Sequence, residues 1–295
     1  MGTLLSAIAF GLILASVIAI AGMGFTLQFG LTNVLNLSFG AVMTVGAFAA
    51  YLARDHGVSA WYGLAIGGAV GAVVTLAIGR GLFRLYARRG AQLLEMIMVT
   101  LGLGLVINYA IQAISRNNIY QFNVLQSAPL HLGAVTITPT QAILIGIAVA
   151  VFVGLEAVLR LTKIGTALRA MAAEPSLARS CGIRTGRVVI ITWLLSGFLC
   201  GMAGVVYIIN SQSVGYATGE LFLPLVIAAA LLGGAGSPAG AVAAAIVMGV
   251  VTEVVSAYGG PQFSTAAGFG ILVLVLICRP RAVLGDRGRE TRLTL

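Results

Sequence analysis

Residues 1–53 read MGTLLSAIAFGLILASVIAIAGMGFTLQFGLTNVLNLSFGAVMTVGAFAAYLA, and no Asp, Glu, Lys or Arg stands among them. A run of that length holds two helices of the roughly 20 residues needed to cross a hydrocarbon core, so it predicts membrane spans. The rest of the chain agrees. Across 295 residues the hydrophobic fraction is 59%, the charged fraction 8% and the mean hydropathy +1.05, whereas soluble domains carry roughly a quarter charged residues. There is too little charge to cover a surface in water. The expected fold class is all-α: a polytopic helical membrane protein of about eight or nine transmembrane segments, with 1–295 forming one transmembrane domain.

Apolar segments fall at about 4–22, 31–53, 61–79, 94–114, 141–159, 188–209, 221–235, 239–257 and 264–278. No basic residue precedes Arg54, so the N-terminus lacks the charged start of a cleavable signal peptide and is read as mature protein. A Gly-rich polar interruption from Gly22 to about Asn36 parts or breaks the first two segments. Basic residues gather in three clusters: Arg80, Arg84, Arg88 and Arg89; then Arg160, Lys163, Arg169, Arg179, Arg184 and Arg187; then Arg279, Arg281, Arg287, Arg289 and Arg292. Nine crossings bring all three to one side and leave Arg54 and Arg116 opposite. Lys and Arg are retained on the cytoplasmic side, which makes the basic tail 279–295 cytoplasmic and the N-terminus external. The net charge of +9 is thus a topology signal, and no nucleic-acid partner is expected.

Several chemistries lack their residues. Cys181, Cys200 and Cys278 form no CxxC pair, and His56 and His131 stand far apart, so neither a zinc cluster nor a disulfide framework is indicated. Lys163 is the only lysine, set between Thr162 and Ile164, which rules out a phosphate-cradling GxxxxGK[ST] loop. No cofactor is expected on this chain, and any ATP that drives it is used by partner subunits. An intramembrane enzyme has no HExxH, GxSxG or paired aspartates to work with. An ion-coupled secondary transporter expects carboxylates in mid-membrane. Here Glu95 and Glu156 fall at predicted cytoplasmic segment ends, Glu220 in an external loop, and Glu253 about one turn from an external end, as an interfacial or a cavity-facing carboxylate.

Three stretches carry the functional expectations. In the first, Gly24 to Gly40, polar Gln28, Thr32, Asn33, Asn36 and Ser38 interrupt an apolar run among glycines. A broken helix there exposes backbone where a polar solute passes, or the same side chains hydrogen-bond neighbouring helices. The second is the loop at about 160–187. Leu168, Met171 and Ala172 share a helical face, Pro175 opens a second short helix after Glu174, and Leu177, Ala178 and Cys181 mark that helix before Gly182 stops it. Such a pair docks in a partner's groove or packs on its own bundle or lipid headgroups. The third, Leu231 to Gly240, is a tight Gly/Pro turn between two short apolar segments, which form either a hairpin of spans or a re-entrant pair. Gly63, Gly67 and Gly71, with Gly197 and Gly201, have the spacing of close helix packing.

At these places the sequence resembles the LivH-type family of branched-chain amino acid ABC importer permeases. The family's early pattern, GLxLxxGxxGxxNxAxG followed by GA and an aromatic, is met by Gly24, Leu27, Gly30, Asn36, Gly40, Gly46, Ala47 and Phe48; Ser38 stands where alanine is common and Phe39 where histidine is. Thr166 to Ile183 is similar to the family's cytoplasmic coupling loop. Gly233-Gly234-Ala-Gly236-Ser237 with Gly240-Ala241, and Arg279-Pro280-Arg281 with Leu284-Gly285, resemble its GGxGSxxGA and RPxGLxG elements. The resemblance implies the ABC importer permease fold and a bacterial inner-membrane location. It also implies a second LivH/LivM-like permease subunit, two cytoplasmic ABC ATPases and an external or periplasmic solute-binding protein. Substrate would be a branched-chain or other hydrophobic amino acid, with urea or short amides as alternatives, moved by alternating access. The coupling residues it implies are Leu168, Arg169, Met171, Ala173, Glu174, Pro175, Ala178, Gly182 and Ile183.

Overall fold

The computed structural model describes residues 2–83, 85–86, 92–124, 130–132, 135–234 and 236–278. Arg84, Arg88 and Arg89, and the tail 279–295 with the Arg279–Gly285 element, lie outside them. Among the described residues the helices are α1 (Gly2–Thr32), α2 (Phe39–Asp55), α3 (Ala60–Ile78), α4 (Leu93–Ser115), α5 (Pro139–Leu161), α6 (Lys163–Ala173), α7 (Pro175–Ser180), α8 (Thr185–Ser211), α9 (Leu223–Gly233), α10 (Pro238–Gly259) and α11 (Ser264–Cys278). A π-helical turn, Gly79–Phe83, prolongs α3. Short strands β1 (Tyr120–Gln121) and β4 (Ser213–Val214) pair antiparallel, as do β2 (Leu130–Leu132) and β3 (Val135–Ile137).

Each of the nine apolar segments coincides with a helix, because a backbone in hydrocarbon must satisfy its hydrogen bonds internally. Six helices are long and apolar enough to cross a membrane: α1, α3 with its π turn, α4, α5, α8 and α10. The other three, α2 with 17 residues, α9 with 11 and α11 with 15, are shorter. At about 1.5 Å per residue α9 rises only about 16 Å, roughly half of a 30 Å hydrocarbon core. The chain ahead of it, from Gly215 to Phe222, runs as turns.

One boundary differs from the sequence reading. The interruption was expected to begin at Gly22, yet α1 continues through Gly22, Gly24 and Gly30 to Thr32. Gly22 and Gly24 are spent on packing: Gly22 lies against Ala229 and Ala241, and a Cβ on Gly24 would come 2.8 Å from the Ser196 carbonyl oxygen. The break falls instead at Asn33, which takes a left-handed φ of 52°.

Glycines draw the central helices together as the spacing predicts. A Cβ on Gly71 would reach within 2.9 Å of the Gly201 Cα, and one on Gly46 within 2.5 Å of the same atom, so α2 and α3 both close onto α8. Within their most apolar windows α1 is 56% and α8 67% buried, against 17% for α4 and α5. The first pair is therefore the centre of the bundle and the second its periphery.

Helices α1–α4 and α8–α11 follow one plan in opposite directions. α1 packs chiefly on α10 as α8 does on α3; α2 lies on α3 as α9 does on α10; α2 touches α8 and α4 as α9 touches α1 and α11. Helix ends correspond too: α1 stops at Asn33 (φ 52°) and α8 at Gln212 (φ 57°), while Ser59 precedes α3 and Ser237 precedes α10. Along α1 the contacts with α8 run backwards, Gly24 lying against Leu199 and Ser196 and the later Gln28 bonding Ser196, so the two sets run antiparallel. Such inverted repeats place discontinuous helices at their interface. Here Gly40, at the start of α2, meets Gly219, ahead of α9, backbone to backbone.

Candidate functional site

Around the break after α1, Gln28, Asn36 and Ser38 are buried and joined. Gln28 Oε1 accepts from Asn36 Nδ2 at 3.4 Å and from Ser196 Oγ of α8 at 3.2 Å. Asn36 Oδ1 accepts from the Ser38 backbone N–H at 3.1 Å and from its hydroxyl at 2.6 Å. Thr100 of α4 holds the same strip, its hydroxyl oxygen accepting from the Leu37 N–H at 3.2 Å. Gln28 Nε2 is buried without a partner among the described residues. Thr32 folds back on the Gln28 carbonyl at 2.8 Å, and Asn33 is exposed. The structure thus brings three of the five polar residues into one network and leaves Thr32 and Asn33 at its edge. Thr100 and Ser196 had no local signal, because each is an isolated hydroxyl on a remote helix.

The loop after α5 is two short helices, as the Glu174-Pro175 break predicts. Thr162 caps α6 by accepting from the Gly165 N–H at 3.2 Å, and Gly182, at φ 81°, ends α7. Leu168, Met171 and Ala178 are buried and tie the pair to the bundle. Arg169, Ala173, Glu174 and Gly182 are exposed, with Pro175 and Ile183 half-buried. Ala172, which shares a helical face with Leu168, is exposed at the wall of a cavity beside α1, and Leu177 and Cys181 are exposed as well. Leu177 is 64% exposed at the tip of the loop. It is an exposed apolar side chain, where the sequence reading left docking and packing both open.

The Gly/Pro turn closes onto α1 through Thr26, which sequence reasoning passed over inside the quoted stretch. Its hydroxyl oxygen accepts from the Gly236 N–H at 2.9 Å and lies 3.2 Å from the Gly234 carbonyl oxygen. Ser237 caps α10 by accepting from the Gly240 N–H at 3.2 Å. The three stretches converge on one cavity of about 440 Å3. Its walls include Leu27 and Leu31 of α1, Glu156 and Arg160 of α5, Arg169 of α6 and Ser237 of the turn. On the opposite side Arg54 stacks over Phe122 at 5.5 Å and donates to the Asn123 carbonyl oxygen. Two further acidic residues lie at helix ends: Glu95 closes a capping box with Gln92 at the start of α4, and Glu253 sits half-buried in the last turns of α10.

Long apolar helices, two of them ending in left-handed breaks ahead of shorter helices, and a two-helix loop make this an all-α, multi-pass membrane protein. The chain belongs to the family described as Branched-chain amino acid transport system / permease component, which it matches over residues 7–278. It is 25% identical over 291 residues to the high-affinity branched-chain amino acid transport system permease protein LivH of Escherichia coli (strain K12), covering 93% of each chain. It is 28% identical to the probable branched-chain amino acid transport permease protein LivH of Methanocaldococcus jannaschii, over 93% of this chain and 90% of that one. The fructose import permease protein FruF of Bifidobacterium longum is 28% identical over 82% of this chain and 68% of its own. A chain of the solved structure of PsaBC from Streptococcus pneumoniae in complex with Fab shares the fold, with a TM-score of 0.51 at 14% identity over 92% of each chain. The family that the sequence resembles is the one it belongs to, a family of transport permease components.

Proposed function

We propose that this chain is the membrane permease of a binding-protein-dependent importer for branched-chain or other hydrophobic amino acids, driven by two cytoplasmic ATPases. A second permease subunit completes the pathway, the bilayer is the bacterial inner membrane, and the C-terminal tail is cytoplasmic. Alternating access follows if nucleotide-driven closure of the ATPases makes different contacts with α6 and α7 in its two states.

The observation that carries the reading is the division of labour in the loop. Leu168, Met171 and Ala178 anchor it, while Ala173, Glu174, Gly182 and Leu177 are exposed, as a helix pair offered to a groove requires; Arg169 is exposed too, at the wall of the cavity beside α1. Gly165 makes the connection stiff. It packs against the backbone of Leu159 with no room for a Cβ, so force on α6 is passed to α5. The pathway is assigned to the interrupted region, where Gln28, Asn36 and Ser38 form one network with Thr32 and Asn33 at its edge, and where Gln28 Nε2 has no partner among the described residues.

The test is uptake into proteoliposomes holding the full importer. Reversing Glu174 to Arg together with Gly182→Leu is expected to abolish ATP-dependent leucine uptake while the chain still inserts; unchanged uptake would overturn the coupling role. Cysteines at positions 33, 36 and 38, in a background lacking Cys181, Cys200 and Cys278, are expected to react with small thiol reagents in a nucleotide-dependent way. Inertness in every state would return these residues to packing alone. The kinship with a protein named as a fructose permease supports a second reading, in which the fold is kept and a polar solute is the cargo, as in the urea or short-amide alternatives. Binding measurements on the partner binding protein separate the two.

A further inference from the structure

We propose that the cavity between α1, the α5–α6 elbow and the Gly236–Pro238 turn is a cytoplasmic-side binding site for a small aliphatic α-amino acid, through which accumulated solute slows its own import. The site borders the interrupted region to which the pathway is assigned, sharing the last turns of α1 with it, but its walls do not include Gln28, Asn36 or Ser38.

The cavity has the right size and two kinds of wall. At about 440 Å3 it falls within the range of roughly 300 to 1,000 Å3 typical of small-molecule sites. Leu27, Leu31, Leu159 and Leu168 supply apolar surface from three helices, and Arg169 and Glu156 stand on the same wall set. A guanidinium and a carboxylate lining one apolar space supply partners for the two ends of an amino acid zwitterion, with bidentate pairing available to its carboxylate. Glu156 is well placed for the ammonium. Arg160 Nε holds its Oε2 at 2.6 Å and leaves Oε1 without a hydrogen bond among the described residues, and the side chain is 19% exposed. Both residues lie in the second basic cluster's neighbourhood, on the side that the charge rule makes cytoplasmic.

Occupancy would be tied to the transport state because the walls belong to two bodies. Leu159, Glu156, Leu168 and Arg169 travel with the stiff elbow, while Leu27, Leu31 and Ser237 belong to the bundle, held together by the Thr26 bonds. A ligand bridging them favours the spacing seen here and opposes any displacement of the elbow. A ligand shifts an equilibrium only through such differential contact.

The site is tested on the permease–ATPase complex without its binding protein, by equilibrium binding of L-leucine, 4-methylpentanoate, which lacks the ammonium, and 3-methylbutylamine, which lacks the carboxylate. Leucine is expected to bind at least tenfold more tightly than either analogue. Glu156→Gln should erase its advantage over 4-methylpentanoate, and Ala172→Trp, on an exposed position lining the cavity, should weaken all three. Absence of leucine binding, or binding indifferent to both substitutions, overturns the proposal, as does equal binding of 4-methylpentanoate, which marks a fatty-acid or lipid site. The regulatory half rests on an amino acid being the cargo. It predicts that leucine preloaded with ATP in the lumen slows initial uptake by the wild type and not by Glu156→Gln; equal slowing of both overturns it. Leucine bound here but never imported would sink the cargo reading and leave the site. Leucine imported but not bound would do the reverse.

Discussion

A methyl group on Gly46 would sit 2.5 Å from the Cα of Gly201 and 2.7 Å from its carbonyl oxygen, so α2 cannot keep its distance from α8 once a side chain is added. The buried polar network beside it is a weaker tie. Interhelical hydrogen bonds in membranes average about 0.6 kcal/mol, while overpacking a tight contact costs about 1–3 kcal/mol. Gly46→Ala is therefore expected to destabilise the purified protein by about 2–3 kcal/mol, and Ser196→Ala, which removes one bond to Gln28, by under about 1 kcal/mol. Denaturant titration followed by circular dichroism measures both. An equal or larger loss for Ser196→Ala would show that the network, and not the backbone contact, holds the centre. At this scale the glycines were legible, because a four-residue repeat of small residues has one physical use between helices. The partners of Gln28 were not, because a lone hydroxyl such as Ser196 gives no local sign of what it will meet.

The α5–α6 elbow makes the corresponding case among elements. Thr162 ends one helix and caps the next, donating to the Val158 carbonyl at 2.6 Å while accepting from the Gly165 N–H, and Gly165 lies on the Leu159 backbone. Gly165→Val is expected to open this joint and cut ATP-dependent uptake at least tenfold with the protein still inserted. Gly154→Ala on the same α5, where a Cβ would meet nothing within 4 Å, should leave uptake within twofold of wild type. Similar losses in both would show that α5 tolerates no change and would remove the elbow's special role. The loop's two helices were readable from Pro175 and Gly182, since both residues fix backbone conformation locally. Which face of each helix points inward was read only in part. Periodicity placed Leu168 and Met171 on one face of α6 correctly, but of the Leu177, Ala178 and Cys181 set only Ala178 is buried, and a six-residue helix such as α7 is too short to impose a face of its own.

Over the whole molecule, hydropathy gave the class and the number of apolar segments, while the inverted repeat escaped it. What the structure shows in common between the two halves is local: left-handed ends at Asn33 and Gln212, and a serine before α3 and α10. Period and composition cannot register such features. They converge at Gly40 and Gly219, where each glycine lies against the other's carbonyl and the Gly219 N–H is bound by Thr44 Oγ1 at 3.0 Å. One contact thus fastens the start of α2 in one half to the approach to α9 in the other. Because the packing is mutual, a Cβ on either residue must part the same two segments, and a second Cβ enters a gap the first has opened. Gly40→Ala and Gly219→Ala are accordingly expected to cost similar stability, about 1–3 kcal/mol each, and the double substitution clearly less than their sum, as residues in contact couple. The same denaturant titration decides it. Strict additivity would mean that the halves are not fastened here and that the interrupted helices are held independently by α8 and α1.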